Sequence, residues 1–246
     1  MNVIDVEQRT EEWHAQRRGK ITASRFNDVM TAPKTKADRE AGKLSQTAET
    51  YLLEKIVERL TGERVNLAAN VAMQWGTKWE PDAIAVYQDV TGHEVRAVGF
   101  AVSNILPDVG GSADGLVYET GMIETKCPFN PVVHLRTVRS LAIPREYVAQ
   151  VQGLLWVTER EWCDFVSYDP RQPLAHLAIS IVRVPRDDKF IGELERACRR
   201  FLDKLEEVME KLASMEFVES DAHRIANICA PPITIKIESE GRKIIL

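Results

Sequence analysis

GGSADGLVYETGMIETKCP, residues 110–128, decides how this chain reads. Side chains alternate across a strand, so Glu124 and Lys126, two residues apart, project to one face. Asp114 lies on a preceding candidate strand, before a Gly- and Thr-rich connection. Closing that hairpin brings Asp114 beside Glu124, with Lys126 next to both. Two carboxylates suit Mg²⁺, a hard cation that prefers oxygen ligands and keeps several waters. A close lysine stabilises negative charge, or orients and deprotonates a water, and such a set serves attack on a phosphodiester. A solvated hairpin with alternating charges has the same spacing, so at this level both readings stand.

Outward from this segment, the pattern is mixed. HEVRAVGFAVSNI reads as extended and, with SADGLVYE and MIETKCP, forms consecutive antiparallel strands. REYVAQVQGLLWVT reads as a helix despite its internal glycine, and EWCDFVSYD and LAHLAISIVRV read as further strands. DDKFIGELERACRRFLDKLEEVMEKLAS carries an apolar helical stripe of Phe190, Leu194, Ala197, Phe201, Leu205 and Val208. On the N-terminal side, TEEWHAQRRG predicts a short helix capped by Thr10, with Glu11 and Glu12 in its first turn and Gly19 at its end. A second helix starts near Thr22 or Ser24, and residues 31–45 read as a polar surface loop. SQTAETYLLEKIVERLTG is a core-facing helix stopped by Gly62. Trp75, Trp79, Ala83 and Tyr87 mark another over about residues 74–91; Pro81 then asks for a helix start near Glu80 or a kinked approach. The sum is an α/β fold, a central mixed sheet flanked by helices. Residues 1–215 form the main domain, and 216–246 form a C-terminal extension with a small strand or hairpin.

Composition bounds the function. A chain of 246 residues with 44% hydrophobic and 28% charged content supports a sizeable core. Its net charge of −5 excludes blanket basicity, so any nucleic acid must meet a local patch. Residues 10–45 hold eight basic and five acidic side chains, including Arg17, Arg18, Lys20 and Arg25, and are the first candidate anion surface. The cysteines Cys127, Cys163, Cys198 and Cys229 form no C-x-x-C pair, and the five histidines show no H-E-x-x-H. With neither an apolar leader nor a run of 18 apolar residues, a cytoplasmic protein without a membrane segment is expected.

The ordered motifs EEWHAQRRGKITAS, WGTKWEPDA, SADGL, IETKCPF, YVAQVQ, WVT and YDPR, across about residues 5–215, resemble the lambda-exonuclease and YqaJ-type viral recombinase nucleases. That group is a branch of the restriction-endonuclease-like PD-(D/E)xK superfamily. Ala113 replaces the proline of the superfamily name, which leaves the ligand Asp114 in place. The resemblance implies a restriction-endonuclease-like core in which Asp114 and Glu124 bind Mg²⁺, or Mn²⁺ as a substitute. The Thr125 carbonyl adds an oxygen, and Lys126 positions or activates water. Glu80 binds a second ion or its water; taken alone it is an ordinary helix-start charge. Arg17 would grip a terminal 5′-phosphate, with Ser24, Ser112 and Gln150 as hydrogen-bond donors. Each of these four has a plain structural role as well: surface arginine, helix cap, turn residue and exposed helix residue.

By the same resemblance the expected activity is Mg²⁺-dependent 5′-to-3′ digestion of double-stranded DNA ends. The products are 5′-mononucleotides and a 3′ single-stranded tail for recombination. The implied assembly is a homotrimer of phage or prophage origin, and the implied partner a single-strand annealing recombinase. The alternatives are a metal-dependent endonuclease, separated by its attack on closed circles, and a DNA-end-binding scaffold that binds without releasing nucleotides.

Overall fold

The computed structural model describes residues 1–65 and 70–215, with the strand residues 234–235 and 244–245. The chain opens with strand β1 (Asn2–Ile4), helix α1 (Glu11–Arg17), strand β2 (Ile21–Thr22), a 3-10 turn (Ala23–Arg25) and helix α2 (Phe26–Met30). Helices α3 (Lys36–Glu40), α4 (Gln46–Thr61) and α5 (Val71–Thr91) follow. Next come strands β3 (Val95–Arg96), β4 (Phe100–Val102), β5 (Val109–Gly111), β6 (Gly115–Val117) and β7 (Gly121–Lys126). Helices α6 (Pro131–Ser140) and α7 (Arg145–Val157) lead to β8 (Trp162–Tyr168), a single turn α8 (Ala175–Ala178), β9 (Ile179–Pro185) and the 26-residue helix α9 (Asp188–Ala213). Strand β10 (Thr234–Ile235) pairs antiparallel with β11 (Ile244–Ile245); the rest of the expected 216–246 extension, Cys229 included, lies outside the described residues.

The central sheet has the order β3-β6-β7-β8-β9. Strands β7 and β8 are parallel and the other neighbours antiparallel. A parallel pair needs a crossover, which α6 and α7 supply. A smaller sheet has the order β1-β4-β5-β2. The expected mixed α/β core with a central mixed sheet flanked by helices is the architecture found. One detail differs from the run of consecutive antiparallel strands. Strands β4 and β5 pair in the small sheet, β6 and β7 in the large one, and Ser112, Ala113 and Asp114 cross between them. Asp114 therefore stands at the junction of two sheets.

Strand β7 is covered on both faces. Met122 joins the large core with Phe26, Tyr51, Leu154, Leu194 and Phe201, whereas Ile123 packs with Tyr87, Val117 and Val166. Alternation sends Glu124 and Lys126 the way of Met122, toward α7. The glycine inside α7 has a packing reason: a Cβ on Gly153 would lie 2.1 Å from the Phe26 ring, so α2 can cross there only over glycine. That close approach offsets the roughly 1 kcal/mol that a mid-helix glycine costs.

The helix boundaries follow the caps. Thr10 accepts from the Trp13 N–H at the start of α1, Ser45 from Ala48 at the start of α4, and Gly62 closes α4 in the left-handed region. Three expectations change. The polar stretch 31–45 contains α3, capped by the Thr35 hydroxyl. Helix α5 begins at Val71, where Asn70 accepts from the Met73 N–H, and runs through Pro81, so Glu80 is an interior residue and not a start. Burial of Ala83 and Tyr87 against the sheet outweighs the proline penalty. Thr22 belongs to β2, and α2 starts only at Phe26.

Candidate active site

Asp114 enters the site from the crossover and is fastened to β7. Its Oδ2 accepts the Thr125 backbone N–H at 2.6 Å and the Thr125 hydroxyl at 2.7 Å. Glu124, 2% exposed, uses Oε1 to accept from the Lys126 ammonium and from Gln150 Nε2, the latter at 2.6 Å. Its Oε2 is buried with no hydrogen-bond partner among the described residues. Burial, then the charge of Asp114, pushes the Glu124 carboxyl up to about 8. Glu80 reaches the same field from α5. Burial and Asp114 raise its pKa, while Arg9, whose Nη2 donates to Glu80 Oε2 at 2.6 Å, opposes the rise.

Lys126 holds its proton firmly. Burial by itself would lower its pKa, yet Glu124 and then Asp114 carry it above the ordinary value. The ammonium lies 5.1 Å from the centroid of the Tyr147 ring. Beside them opens a cavity of about 750 Å³ lined by Arg9, Ser24, Glu80, Thr125, Lys126 and Tyr147.

The donor set fits a hard divalent ion. An orphaned, buried carboxylate oxygen faces two neighbouring carboxylates that raise the cost of its charge, which is the condition a cation relieves. Among the described residues no three His, Cys, Asp or Glu side chains gather as a complete protein cage. Glu80 is held by Arg9 and Asp114 by Thr125. Carboxylates so placed suit a hydrated divalent ion taken by one or two of them.

A second cavity, about 270 Å³, is lined by Trp13, His14, Arg17, Arg18, Ser24, Arg25, Lys55 and Arg64, with Glu54 and Glu58 at its wall. Two of these five Lys and Arg side chains are matched by acids: Arg25 by Asp28 and Glu54, Lys55 by Glu58. Arg17 is different. Its guanidinium carbon lies 4.1 Å from the Trp13 ring centroid, and burial pulls its pKa down to about 10. The indole below it donates to Ser112 Oγ at 2.9 Å. Gly19, at φ +69°, turns the chain after α1 and donates its N–H to Glu58 at 2.8 Å, which fixes the segment carrying Arg17.

Arg17 and Ser24 thus line one pocket, and Ser112 lies below it through Trp13. Gln150 bonds to Glu124 at the acidic centre. Ser24 and Met73 line both cavities. Sequence reasoning missed Arg9, whose pairing with Glu80 spans 71 residues and left no local signal. It also missed Glu58 and Lys55, which stand in α4 where the helical pattern alone reads as surface and core.

The crossover acid, the E-x-K strand and the mixed sheet between helices define a restriction-endonuclease-like core. Residues 12–161, more than half of the chain, match the YqaJ-like viral recombinase domain, and the chain belongs to that family. It is similar to an alkaline exonuclease (LHK-Exo) from Laribacter hongkongensis, with 39% identity over 89% of this chain and 100% of that one and a TM-score of 0.73. The structure of LHK-Exo in complex with dAMP aligns at 40% identity over 88% of this chain and 100% of that one, with a TM-score of 0.74. A phage related exonuclease from Haemophilus somnus 129PT shares the fold, at 19% identity over 78% of this chain and 96% of its own and a TM-score of 0.63.

Proposed function

We propose that this protein is a Mg²⁺-dependent exonuclease that digests the 5′-ended strand of duplex DNA from its terminus, releasing 5′-mononucleotides and leaving a 3′ tail. One observation carries the reading: Glu80 and Lys126 of the acidic centre and the half-buried, desolvated Arg17 line adjoining cavities that share Ser24 and Met73 as a rim. A terminal phosphate beside Arg17 sets the next phosphodiester toward Glu124 and Asp114. The family and the similarity to an alkaline exonuclease with a dAMP complex support the chemistry.

Asp114, Glu124 and Glu80 would hold the ion or ions, with the Thr125 carbonyl as a further oxygen. Held there, such an ion would supply positive charge against the phosphate and lower the pKa of a water. Lys126, an ammonium beside Glu124, stabilises the charge that develops on the attacked phosphate and orients the attacking water. Gln150 holds Glu124 Oε1, leaving Oε2 for the ion. Arg17 recognises the end through its planar fork, with Ser24 lining the same pocket, Ser112 reached through Trp13, and Gln150 acting from its place on Glu124.

A homotrimer around the duplex, an annealing recombinase as partner and action in the bacterial cytoplasm complete the proposal. No helix among the described residues is long and apolar enough to cross a membrane. Strand-resolved digestion of a linear duplex bearing one 5′-phosphate and one 5′-hydroxyl, with Mg²⁺ and an EDTA control, tests it. Metal-dependent mononucleotide release from the phosphorylated strand is expected. Loss from the 3′ ends alone, or efficient linearisation of closed circles, overturns the assignment.

A further inference from the structure

We propose that Arg171 is a positioning residue that holds the catalytic strand and the Glu80 helix in one arrangement; this rests on the nuclease reading above. Arg171 ends the motif YDPR, residues 168–171. It does not line the cavity in front of the acidic centre, so it acts through other groups.

The β7–β8 ladder runs from Gly121 opposite Trp162 to Lys126 opposite Ser167 and stops there. Lys126 is therefore the last residue that the ladder fixes, and the chain leaves through Cys127, Pro128 and Phe129. The Arg171 guanidinium meets that exit. Nη2 donates to the Pro128 carbonyl at 3.1 Å and Nη1 to the Phe129 carbonyl at 3.0 Å. The group is itself anchored: Nε donates to Asp169 Oδ1 at 2.7 Å and Nη2 to Oδ2 at 3.2 Å. Asp169 is fully buried, accepts from Gln172 Nε2 at 3.0 Å, and donates its N–H to the Ala178 carbonyl at 2.9 Å.

The same guanidinium lies 4.4 Å from the Trp75 ring centroid. Trp75 packs 5.6 Å from Trp79 and 5.9 Å from Phe129, and Trp79 directly precedes Glu80 on α5. One side chain thus joins the end of β8, the exit from β7 and the helix bearing Glu80. Only a planar fork can serve two carbonyls and a carboxylate at once; a lysine offers a single point. Removing it frees two carbonyls just past Lys126 and uncovers Trp75, so the ammonium and Glu80 lose their common reference. Misplacement of about 1 Å at a reacting centre costs on the order of 10²-fold in rate.

The test uses two variants of the full chain, because a bare truncation would strand the buried Asp169. Arg171→Lys keeps the charge without the fork, and the double variant Asp169→Asn/Arg171→Gln removes both charges. Steady-state nucleotide release from a 5′-phosphorylated duplex with Mg²⁺ is measured, along with Mn²⁺ affinity by electron paramagnetic resonance and salt-dependent DNA binding in Ca²⁺. Both folded variants should lose about tenfold or more in kcat, with the KM for DNA and the salt slope of binding unchanged and Mn²⁺ held several-fold more weakly. Unchanged kcat and Mn²⁺ affinity overturn the proposal. A loss confined to KM, with a shallower salt slope, overturns it too and makes Arg171 a phosphate contact. If the wild type hydrolyses no DNA, the nuclease reading fails, and the ratio of Mn²⁺ affinities, which needs no DNA, still decides the role of Arg171.

Discussion

Glu124 and Asp164 are equally buried, each 2% exposed, on neighbouring strands, yet their surroundings are opposite in kind. Asp164 is complete. Arg183 donates to it through Nε and Nη2, both at 2.8 Å, and the Tyr87 hydroxyl donates at 2.8 Å. The Arg183 guanidinium in turn lies 3.8 Å from the Trp162 ring centroid. Glu124 has two donors on one oxygen and none on the other among the described residues, and it faces Asp114 and Glu80. A buried polar atom without a partner costs about 1–3 kcal/mol. The fold satisfies Asp164 in full and leaves one buried oxygen of Glu124 without a partner among the described residues, a difference that the proposed ion site would account for.

The largest effect that sharpens this contrast is on turnover. Glu124→Gln should reduce DNA hydrolysis by on the order of 10³-fold, because it removes the anionic oxygen on which the site depends, while the protein stays folded. Asp164→Asn should leave activity per folded molecule unchanged and lower unfolding stability by about 2 kcal/mol, through the loss of charged hydrogen bonds to Arg183 and Tyr87. Kinetics and urea unfolding of both variants check the pair; a reversal of the two phenotypes breaks the comparison.

Arg17→Ala should come next, with about a tenfold loss of the preference for a 5′-phosphate over a 5′-hydroxyl end and little change on the hydroxyl substrate. Competition between the two ends in one tube reads it. The smallest effect is on pH. A carboxyl raised from its ordinary 4.5 to about 8 favours the folded state while protonated, so its contribution is present below about 4.5 and is lost as pH rises toward 8. Without metal, thermal stability should therefore fall across that window in the wild type more than in Glu124→Gln. The stabilisation given by Mg²⁺ should grow across it, since the ion binds the ionised form. Thermal melts at pH 5 to 9, with and without Mg²⁺, measure both trends.

Much of this was legible because it is local. Period-two alternation placed Glu124 and Lys126 on one face, and Thr10 and Gly62 marked the start of α1 and the end of α4. Helix α6 carried equally local signals, Asn130 as cap and Pro131 in the first turn, that the reading passed over. Pro81 misled because tertiary burial of Ala83 and Tyr87 overrides a local penalty. Which sheet a short strand joins was not legible: β4 and β5 went to one sheet and β6 and β7 to another, a choice made by long-range partners such as β1 and β8. The same distance hid Arg9 beside Glu80, Gln150 on Glu124 and Arg171 on the exit from β7, since one sequence read alone carries no trace of contacts 26 to 71 residues apart.

Direct measurement of Mn²⁺ binding to the wild type, Glu124→Gln and Asp164→Asn, by calorimetry or electron paramagnetic resonance, bears most immediately on the claim that the incomplete acid marks an ion site. Binding by the wild type and Asp164→Asn, abolished in Glu124→Gln, is the expected result. Equal binding by the wild type and Glu124→Gln would contradict it.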